Sequence, residues 1–360
     1  ETTKLFFQEV LRHETLHAMF HFENESLIFP AVHHSFRFCL TVIAGDSRPI
    51  QRPQFVFYAR DVNELNDSER RFTLDAADIR LINPNTNTCA TFRGARDAAI
   101  TAMIHWRGPV LGLEVDPSVD DWGLLTRPGL FHMSNDAAAF NRREDIDGDA
   151  RAISRDRLVI GDRVFLPLYE AKMVHCYDHR FGTYDLQTEA QARQGKLPET
   201  DAAWHLQADN LIAPRYWVES HEVERRMSGL WARKWFLAIR NITSATSERT
   251  TIAAIVPPIG VSETLTIATS QRIDPAQHMV LTTMLDSFAC DYVSRQKVVG
   301  THLLPNVLKQ LPALPLSSIT EEMSLSGSRP FPREYPLTSY CYAAFGSGIS
   351  LLSRDSVGGS

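Results

Sequence analysis

Features that would assign a sequence directly to a protein class are largely missing from this chain of 360 residues. It contains no apolar run of about 18 residues, so no transmembrane helix and no membrane partner are predicted. Its five cysteines lie far apart and form no CxxC pair, which argues against a cysteine-based zinc site and favours a thiol-reduced, cytoplasmic protein. The first residues, ETTKLFFQEV, contain neither an initiator methionine nor a signal-peptide pattern, and we expect the chain to be a fragment.

Charge and composition narrow the class further. The formal net charge of −6 counts against a general polyanion binder but leaves room for a local basic cleft. With 44% hydrophobic and 22% charged residues, the composition is that of a globular protein of about two or three domains. Changes in the distribution of apolar and charged residues along the sequence predict four parts. They are a first domain over 1–115, a polar connector over 116–165, a second domain over 166–318 and a poorly defined tail over 319–360.

The pentapeptide HETLH at residues 13–17 has the spacing of zinc ligands in metalloproteases. That chemistry needs both histidines one turn apart on a helix, with the glutamate as general base. The preceding LFFQEVLRHETL is helical in pattern, but HAMFHFEN alternates as a strand does. His21 follows at a spacing that does not suit a third ligand. We therefore interpret these histidines as lying at a helix end beside a strand, and we predict no metal site.

Three other short motifs suggest chemistry. DIDGD at 145–149 resembles a calcium loop, but its glycine is misplaced and the final glutamate is missing, so a solvated turn is predicted. INPNTNT at 82–88 is also predicted to be a turn. Asp162, followed by Glu170 and Lys172, is the residue set with which many Mg-dependent nucleases hold two ligands and a lysine, although the spacing is loose.

Longer blocks of the sequence resemble one family, and they follow in the family's order. These blocks are FHFENESLIFPAVHHSFRFCLTVIAG (20–45), LINPNTNTCATFRGARDAAIT (81–101), LPLYEAKMVHCYDHRFGTY (166–184), PRYWV (214–218), IRNITSATSERTTIAAIVP (239–257) and LDSFACDYVSRQKVVGTHLLPNVLKQLPALPL (285–316). Together they resemble the γ-class N6-adenine DNA methyltransferases of type IIG restriction–modification enzymes and of the BREX phage-defence system. The last block also resembles the end of a type I specificity-subunit recognition domain.

The resemblance implies an α/β fold in two parts. Residues 1–115 would hold the last strands of a Rossmann-like methyltransferase sheet, and residues 166–318 a mixed α/β target-recognition domain that binds double-stranded DNA. The family binds S-adenosylmethionine through a Gly-rich loop and holds the target amine with Asn-Pro-Pro-Tyr/Phe, and neither motif occurs here. We expect both in an upstream methyltransferase half of the same polypeptide, so this chain alone should have no catalytic residue and no bound cofactor.

Candidate DNA-contacting residues come from the resemblance and from local composition. Enzymes of this kind flip the target adenine out of the duplex and stack it on an aromatic ring, and the resemblance gives that role to Phe29 and Pro30. Cations, hydroxyls and aromatic groups suited to phosphate and base-edge contacts cluster further along, whereas Arg240 is expected to pair within the fold. The predicted DNA-binding set is Lys172, His175, His179, Arg180, Tyr184, Arg215, Ser247, Arg249, Thr250, Arg295, Gln296, Lys297, Thr301 and His302.

Two alternatives to a methyltransferase portion stay open. One is a Mg-dependent nuclease built on Asp162, Glu170 and Lys172, which would cleave DNA and lose that activity in Lys172→Ala. The other is a non-catalytic DNA specificity subunit.

Overall fold

The computed structural model describes residues 2–45, 48–113, 122–146, 151–154, 157–207, 210 and 212–318. Over these ranges the chain is a mixed α/β protein, which confirms the predicted class. The predicted tail, the centre of DIDGD and the first residues of the connector lie outside the described residues. Within them, no helix is long and apolar enough to cross a membrane.

Runs of strands and runs of helices follow one another along the described ranges. The α-helices are α1 (Thr2–Arg12), α2 (Ala76–Ile82), α3 (Ala95–Arg107), α4 (Glu189–Arg193), α5 (Ala202–Leu206), α6 (Ser220–Met227), α7 (Pro275–Leu285), α8 (Phe288–Lys297) and α9 (Pro305–Leu308). The strands are β1 (Leu16–Glu23), β2 (Arg37–Ile43), β3 (Gln54–Ala59), β4 (Phe72–Thr73), β5 (Leu125–Pro128), β6 (Arg151–Ser154), β7 (Arg157–Ile160), β8 (Arg163–Tyr169), β9 (Trp217–Glu219), β10 (Phe236–Arg240), β11 (Ala253–Val256), β12 (Gly260–Val261) and β13 (Leu265–Thr269). Short 3-10 helices lie at Asn24–Ser26, Val62–Asn66, Ala137–Ala139, Arg143–Asp145 and Ala171–Met173.

The chain divides into two compact units. The first unit comprises residues 1–121, 292–299 and 306–319, and the second comprises residues 122–291, 300–305 and 320–360. Strands β5, β6 and β7 fall inside the predicted connector and pair with strands of the second unit. The domain boundaries drawn from the sequence stay a prediction.

The first unit is built on a four-stranded sheet of order β2-β1-β3-β4. Strand β1 runs parallel to β3 and antiparallel to β2, and β3 pairs antiparallel with β4. One face buries the phenylalanines of β3, Phe55 and Phe57, against apolar residues of α1, α2 and α3. Burial of each such ring stabilises the fold by on the order of 2 kcal/mol.

Strand β2 ends this sheet and is exposed to solvent along almost its whole length. Leu40 is 53% exposed, Val42 is 44% exposed and Ile43 is 48% exposed. The buried cluster on this side of the sheet is small, formed by Phe22 with two residues of the β3 region and packed against Phe38. An edge strand with several exposed apolar side chains is unusual on the solvent-facing surface of a soluble protein.

The second unit contains two sheets. One has the order β11-β10-β13-β5 with all its pairs antiparallel, and its strands β10, β11 and β13 read FLAIR, AAIV and LTIAT. Because almost every residue of these strands is buried, they are apolar without alternation, as strands covered on both faces are. The other sheet has the order β12-β8-β7-β6, with β9 paired to β8.

Candidate nucleic-acid interface

The HETLH histidines do not lie on one helix. Helix α1 ends at Arg12, and Glu14 has a φ of 53°, in the left-handed region that breaks the helix before β1 begins at Leu16. His13 lies 3.4 Å from Glu9 through Nε2 and Oε2, while His17 is in the strand. Among the residues that the structure describes, no group of three or more His, Cys, Asp or Glu could hold a metal ion. His13 thus follows the end of α1 and His17 lies in β1, where the pattern changes from helical to alternating.

The proposed nuclease residues lie at opposite ends of one strand. Asp162 is exposed in the turn before β8, and Glu170 follows the last residue of the same strand. Seven residues of extended chain separate their backbones by roughly 20 Å. Glu170 is also engaged, since Tyr184 Oη donates to Glu170 Oε1 at 2.7 Å. Asp162 and Glu170 therefore cannot share a metal ion in this conformation.

A buried asparagine holds the turn that carries the predicted base-stacking residues. Asn24 is 0% exposed and lies directly after β1. Its Nδ2 donates to the carbonyl oxygens of Phe29 at 3.1 Å and Val32 at 2.8 Å, and its Oδ1 accepts from Phe29 N at 2.9 Å. These three hydrogen bonds satisfy the backbone of a turn that otherwise has little regular structure.

The turn presents Phe29 to solvent. The side chain is 49% exposed, and its ring meets Phe38 edge to face with centroids 4.8 Å apart. Phe38 in turn stacks on the buried Phe22 at 5.1 Å. Pro30, the next residue, is exposed as well. Phe29 is thus an aromatic ring with a rigid support beneath it and open space around it.

In the second unit, the ends of several strands bring four polar segments together. Strand β8 ends at Tyr169 beside Val261 of the parallel strand β12, and β10 ends at Arg240 beside Leu265. We call this surface the polar edge, defined by residues 170–184, 240–250, 262–264 and 300–303. Backbone hydrogen bonds join the last three segments, because Asn241 N donates to Thr264 O at 2.9 Å and Thr243 N donates to Thr301 O at 3.0 Å.

The first predicted DNA-contacting group at the polar edge surrounds Glu170. Lys172 Nζ lies 3.8 Å from Glu170 Oε2 and 5.1 Å from the centre of the Tyr184 ring. The guanidinium of Arg215 lies over the Tyr216 ring at 5.1 Å, and Arg215 itself is exposed. Burial and Glu170 raise the pKa of Tyr184, which keeps the phenol protonated as a donor. Lys172, Glu170 and Tyr184 therefore form one cluster, and Arg215 is close enough for its charge to act on the Tyr184 phenol.

The two histidines of segment 170–184 are neutral near pH 7. Burial lowers the pKa of His179 to about 3, and its Nδ1 lies 3.2 Å from the Tyr169 hydroxyl. His175 stacks on Phe181 with ring centroids 4.4 Å apart, and burial followed by the charge of Arg240 lowers its pKa. Neither histidine supplies positive charge for a phosphate, although each ring can still contact DNA as a neutral group.

Arg249 and Thr250 have internal roles in the second unit. The Arg249 guanidinium donates to the carbonyl oxygen of Asp286 and lies 3.5 Å from the carboxylate of Asp291. Thr250 is 0% exposed, and its N–H donates to Asp291 Oδ1 at 2.6 Å. These contacts anchor the hydroxyl-rich segment that contains Ser247 instead of presenting Arg249 and Thr250 to a ligand.

The remaining predicted residues separate into two groups. Arg295, Gln296 and Lys297 end helix α8 in the first unit. Lys297 Nζ donates to Ile82 O at 2.7 Å, to Asn83 Oδ1 at 2.8 Å and to Gln310 O at 2.8 Å, so its three donors are used inside that unit.

Thr301 and His302, by contrast, are exposed at the polar edge of the second unit. His302 forms a backbone bridge with Ile242. Arg180, also at the edge, lies 5.9 Å from the centre of the Trp204 ring. The polar edge thus unites the predicted residues of segments 170–184 and 300–303, whereas Lys297 lies outside it.

The arginine expected to pair within the fold has no such partner. Arg240 forms no ion pair among the residues that the structure describes, and its partly buried Nε has no acceptor. The sequence indicated that Arg240 is unusual in one way. It is the single charged residue of FLAIR, and it stands at the end of a strand whose other four residues are buried.

A buried carboxylate beside the polar edge predicts a pH dependence of stability. Burial raises the pKa of Asp286 from 3.8 to about 7, while Oδ1 accepts from Ala253 N at 2.8 Å and Oδ2 has no partner. Between these two values the unfolded chain loses its proton before the folded chain does, so this residue makes folding less favourable as pH rises. We expect a loss on the order of 3 kcal/mol between pH 4 and pH 8.

Asp286→Asn keeps the acceptor for Ala253 N and cannot ionise. Urea unfolding at both pH values, compared between the two proteins, isolates this contribution from that of other titrating groups. We expect the variant to gain stability relative to the unchanged chain as pH rises. An equal pH dependence in both proteins would show that Asp286 ionises normally.

Comparison with known proteins adds little to this geometry. No protein-family model matches the chain, and no curated protein matches it. One solved structure that it resembles is described as "Characterization and crystal structure of the type IIG restriction endonuclease BpuSI". The alignment has 10% sequence identity and a TM-score of 0.32, and it covers 92% of this chain and 42% of that chain. The chain spans less than half of that protein's length, and a similarity this low assigns neither a fold nor a function.

Proposed function

We propose that this chain is the DNA-binding, target-recognition portion of a site-specific N6-adenine DNA methyltransferase of the type IIG restriction–modification or phage-defence kind. The observation that carries the proposal is the polar edge of the second unit. Segments that lie as far apart in sequence as Lys172 and His302 meet there, and they present cations, hydroxyls and aromatic rings together. This is the mixture that proteins use on phosphates and base edges.

The polar edge offers different groups for affinity and for specificity. Lys172 carries positive charge that attracts phosphates, Thr301 adds a hydroxyl, and the exposed Arg215, outside the polar edge as defined, adds a second cation. Tyr184, as a protonated phenol, and His302 can donate to base edges in a groove. Arg249, Thr250 and Lys297 are left out of the proposed interface, because their donors already have internal partners.

Phe29 supports the part of the proposal that concerns adenine methylation. An adenine amine inside a duplex is out of reach of a methyl donor, so the base must leave the stack and rest on a new surface. The half-exposed Phe29 ring, backed by Phe38, is suited to receive it. S-adenosylmethionine would bind in the upstream half, because this chain has no Gly-rich loop of its own.

The bare strand β2 supports an upstream methyltransferase half as the partner of the first unit. Leu40, Val42 and Ile43 are exposed on a strand at the end of the sheet order. A Rossmann-like sheet would be completed by strands of the upstream half, which would cover these side chains. A stable dimer of this chain alone, held through β2, would contradict that assignment.

Two experiments test the proposed function. Affinity for a duplex oligonucleotide, measured over a salt series, should fall as salt rises. Co-expression with the upstream half should then yield N6-methyladenine in DNA, whereas the chain alone should transfer no methyl group. Absence of salt-dependent duplex binding would overturn the proposal, and binding without methylation in the assembled protein would favour a non-catalytic specificity subunit.

The stacking role makes a separate prediction for the assembled enzyme. Phe29→Ala should lower kcat/KM for methylation by about tenfold or more, because stacking on an aromatic ring contributes about 1–3 kcal/mol per base. A duplex with 2-aminopurine at the target position should show a smaller fluorescence increase on binding. Phe36→Ala is the matched control, since Phe36 is another exposed phenylalanine, 62% exposed and outside the turn that Asn24 holds. Equal effects of the two changes would remove Phe29 from the site.

A further inference from the structure

Arg240 combines partial burial with an absence of acceptors. It is the last residue of β10, and the four residues before it, Phe236–Ile239, are buried. Among the described residues its side chain has no ion pair, and its Nε is buried without a hydrogen-bond partner. Guanidinium groups remain charged in proteins, so a positive charge with an unpartnered Nε–H lies at this strand end.

Other partly buried arginines of the same unit have a partner for at least one nitrogen, although Arg226 Nε and Arg233 Nη1 are themselves buried without an acceptor. Arg226 forms an ion pair with Asp136 at 2.9 Å, and Arg233 donates to the carbonyl oxygen of Ile273 at 2.9 Å. The titratable neighbour that acts on Arg240 is Cys176, and burial raises the pKa of this thiol to about 12, so it stays neutral. Nothing among these neighbours compensates the charge of Arg240, which sets it apart from the other two arginines.

The position of Arg240 connects it to the proposed interface. The next residues, Asn241 to Thr243, are hydrogen-bonded to Thr264 and Thr301 of the polar edge. On its other side, Arg240 is close enough to His175 to lower the pKa of that histidine. The backbone of Arg240 therefore leads directly into the polar edge, and its charge acts on His175.

We propose that Arg240 binds a phosphodiester group of the DNA backbone. This inference rests on the proposed function and names the contact that the polar edge makes with the most accessible anion of a duplex. A residue at a strand end has a short reach, which suits the outermost group of DNA better than a base inside a groove. The anion would accept from the outer guanidinium nitrogens and supply the counter-charge that Arg240 lacks among the described residues.

The test is a salt series of duplex binding by the whole chain with Arg240→Gln. We expect an affinity loss of about tenfold or more at moderate salt, and a salt slope smaller by about one unit, because one phosphate contact is lost. The loss should be the same for unrelated duplex sequences, since a phosphate contact carries no sequence information.

The matched control is Arg163→Gln, which removes one positive charge at the opposite end of β8, where Arg163 is exposed and paired with Glu219. It should change the slope little. Should the glutamine variant fail to fold, the Nε–Hε NMR signal of Arg240 in the unchanged chain gives a second readout, and it should shift when duplex DNA is added.

Duplex binding by folded Arg240→Gln with unchanged affinity and slope would overturn the inference while leaving the proposed function intact. An NMR signal of Arg240 that does not respond to saturating duplex would overturn it equally. If the unchanged chain itself shows no salt-dependent duplex binding, the result contradicts the proposed function and not this inference alone.

Discussion

Replacing Asn24 with alanine should destabilise the first unit by about 3 kcal/mol or more. The side chain is fully buried and makes three hydrogen bonds to the backbone of Phe29 and Val32. Alanine removes all three partners at once, and a buried backbone group left without a partner costs about 1–3 kcal/mol. Urea unfolding followed by circular dichroism measures the change.

Two variants make the Asn24 result specific. Asn24→Asp keeps the acceptor for Phe29 N but loses both donors, so its stability should lie between those of the other two proteins. Asn63→Ala removes an exposed asparagine side chain and should change stability by less than about 0.5 kcal/mol. If Asn24→Ala were as stable as Asn63→Ala, the turn that carries Phe29 would be held by other contacts.

Replacing Asp291 with alanine should cost the second unit about 3–5 kcal/mol. The carboxylate is 5% exposed, accepts from the N–H groups of Thr250 and Thr251 at 2.6 and 3.1 Å, and faces Arg249. Its removal leaves a partly buried arginine without its counter-charge, and breaking a buried ion pair from one side is strongly destabilising. The segment that contains Thr250 and Thr251 would also lose its hydrogen bonds to Asp291. Because Thr250 belongs to the polar edge, duplex affinity should fall as well.

Two further variants test this explanation. Asp291→Asn separates the loss of the charge from the loss of the acceptor, and Asp162→Ala is the control. The asparagine keeps an acceptor for the two backbone N–H groups and loses only the charge, so it should retain about half of the stability lost in Asp291→Ala. Asp162 is exposed in a turn of the same unit, and its removal should be nearly neutral. An Asp291→Ala protein with the unfolding midpoint of Asp162→Ala would contradict this account.

The local elements of the first unit could be predicted from the sequence because their patterns are short-range. The runs FRFCLTVIAG and PQFVFYA are apolar and strand-like in pattern, and they contain β2 and β3. The end of the helix before HAMFHFEN followed from the change of period from helical to alternating. The α/β class needed no more than these patterns and the helical segments between them.

The composition of the polar edge could not be predicted, because it depends on which strand ends meet. Strand β12 has two residues, too few for a pattern, yet its pairing with β8 brings Ser262 beside Tyr169. Arg240, expected to pair within the fold, and Lys297, expected to contact DNA, both differ from expectation for the same reason. Only tertiary contacts show that Lys297 has three internal acceptors while Arg240 has no ion pair among the described residues.

A cysteine on the exposed strand β2 can report whether that strand becomes covered when the chain assembles with a partner. It carries Cys39, an exposed thiol whose pKa partial burial raises. Cys290 is buried, and burial raises the pKa of Cys89 far above its ordinary value and that of Cys176 to about 12. In a Cys341→Ser background, an alkylating reagent should therefore modify Cys39 first. Protection of Cys39 when the upstream half is added, followed by mass spectrometry, would report coverage of β2 without any DNA or methyl donor. Unchanged alkylation in a complex that methylates DNA would show that the two halves join elsewhere.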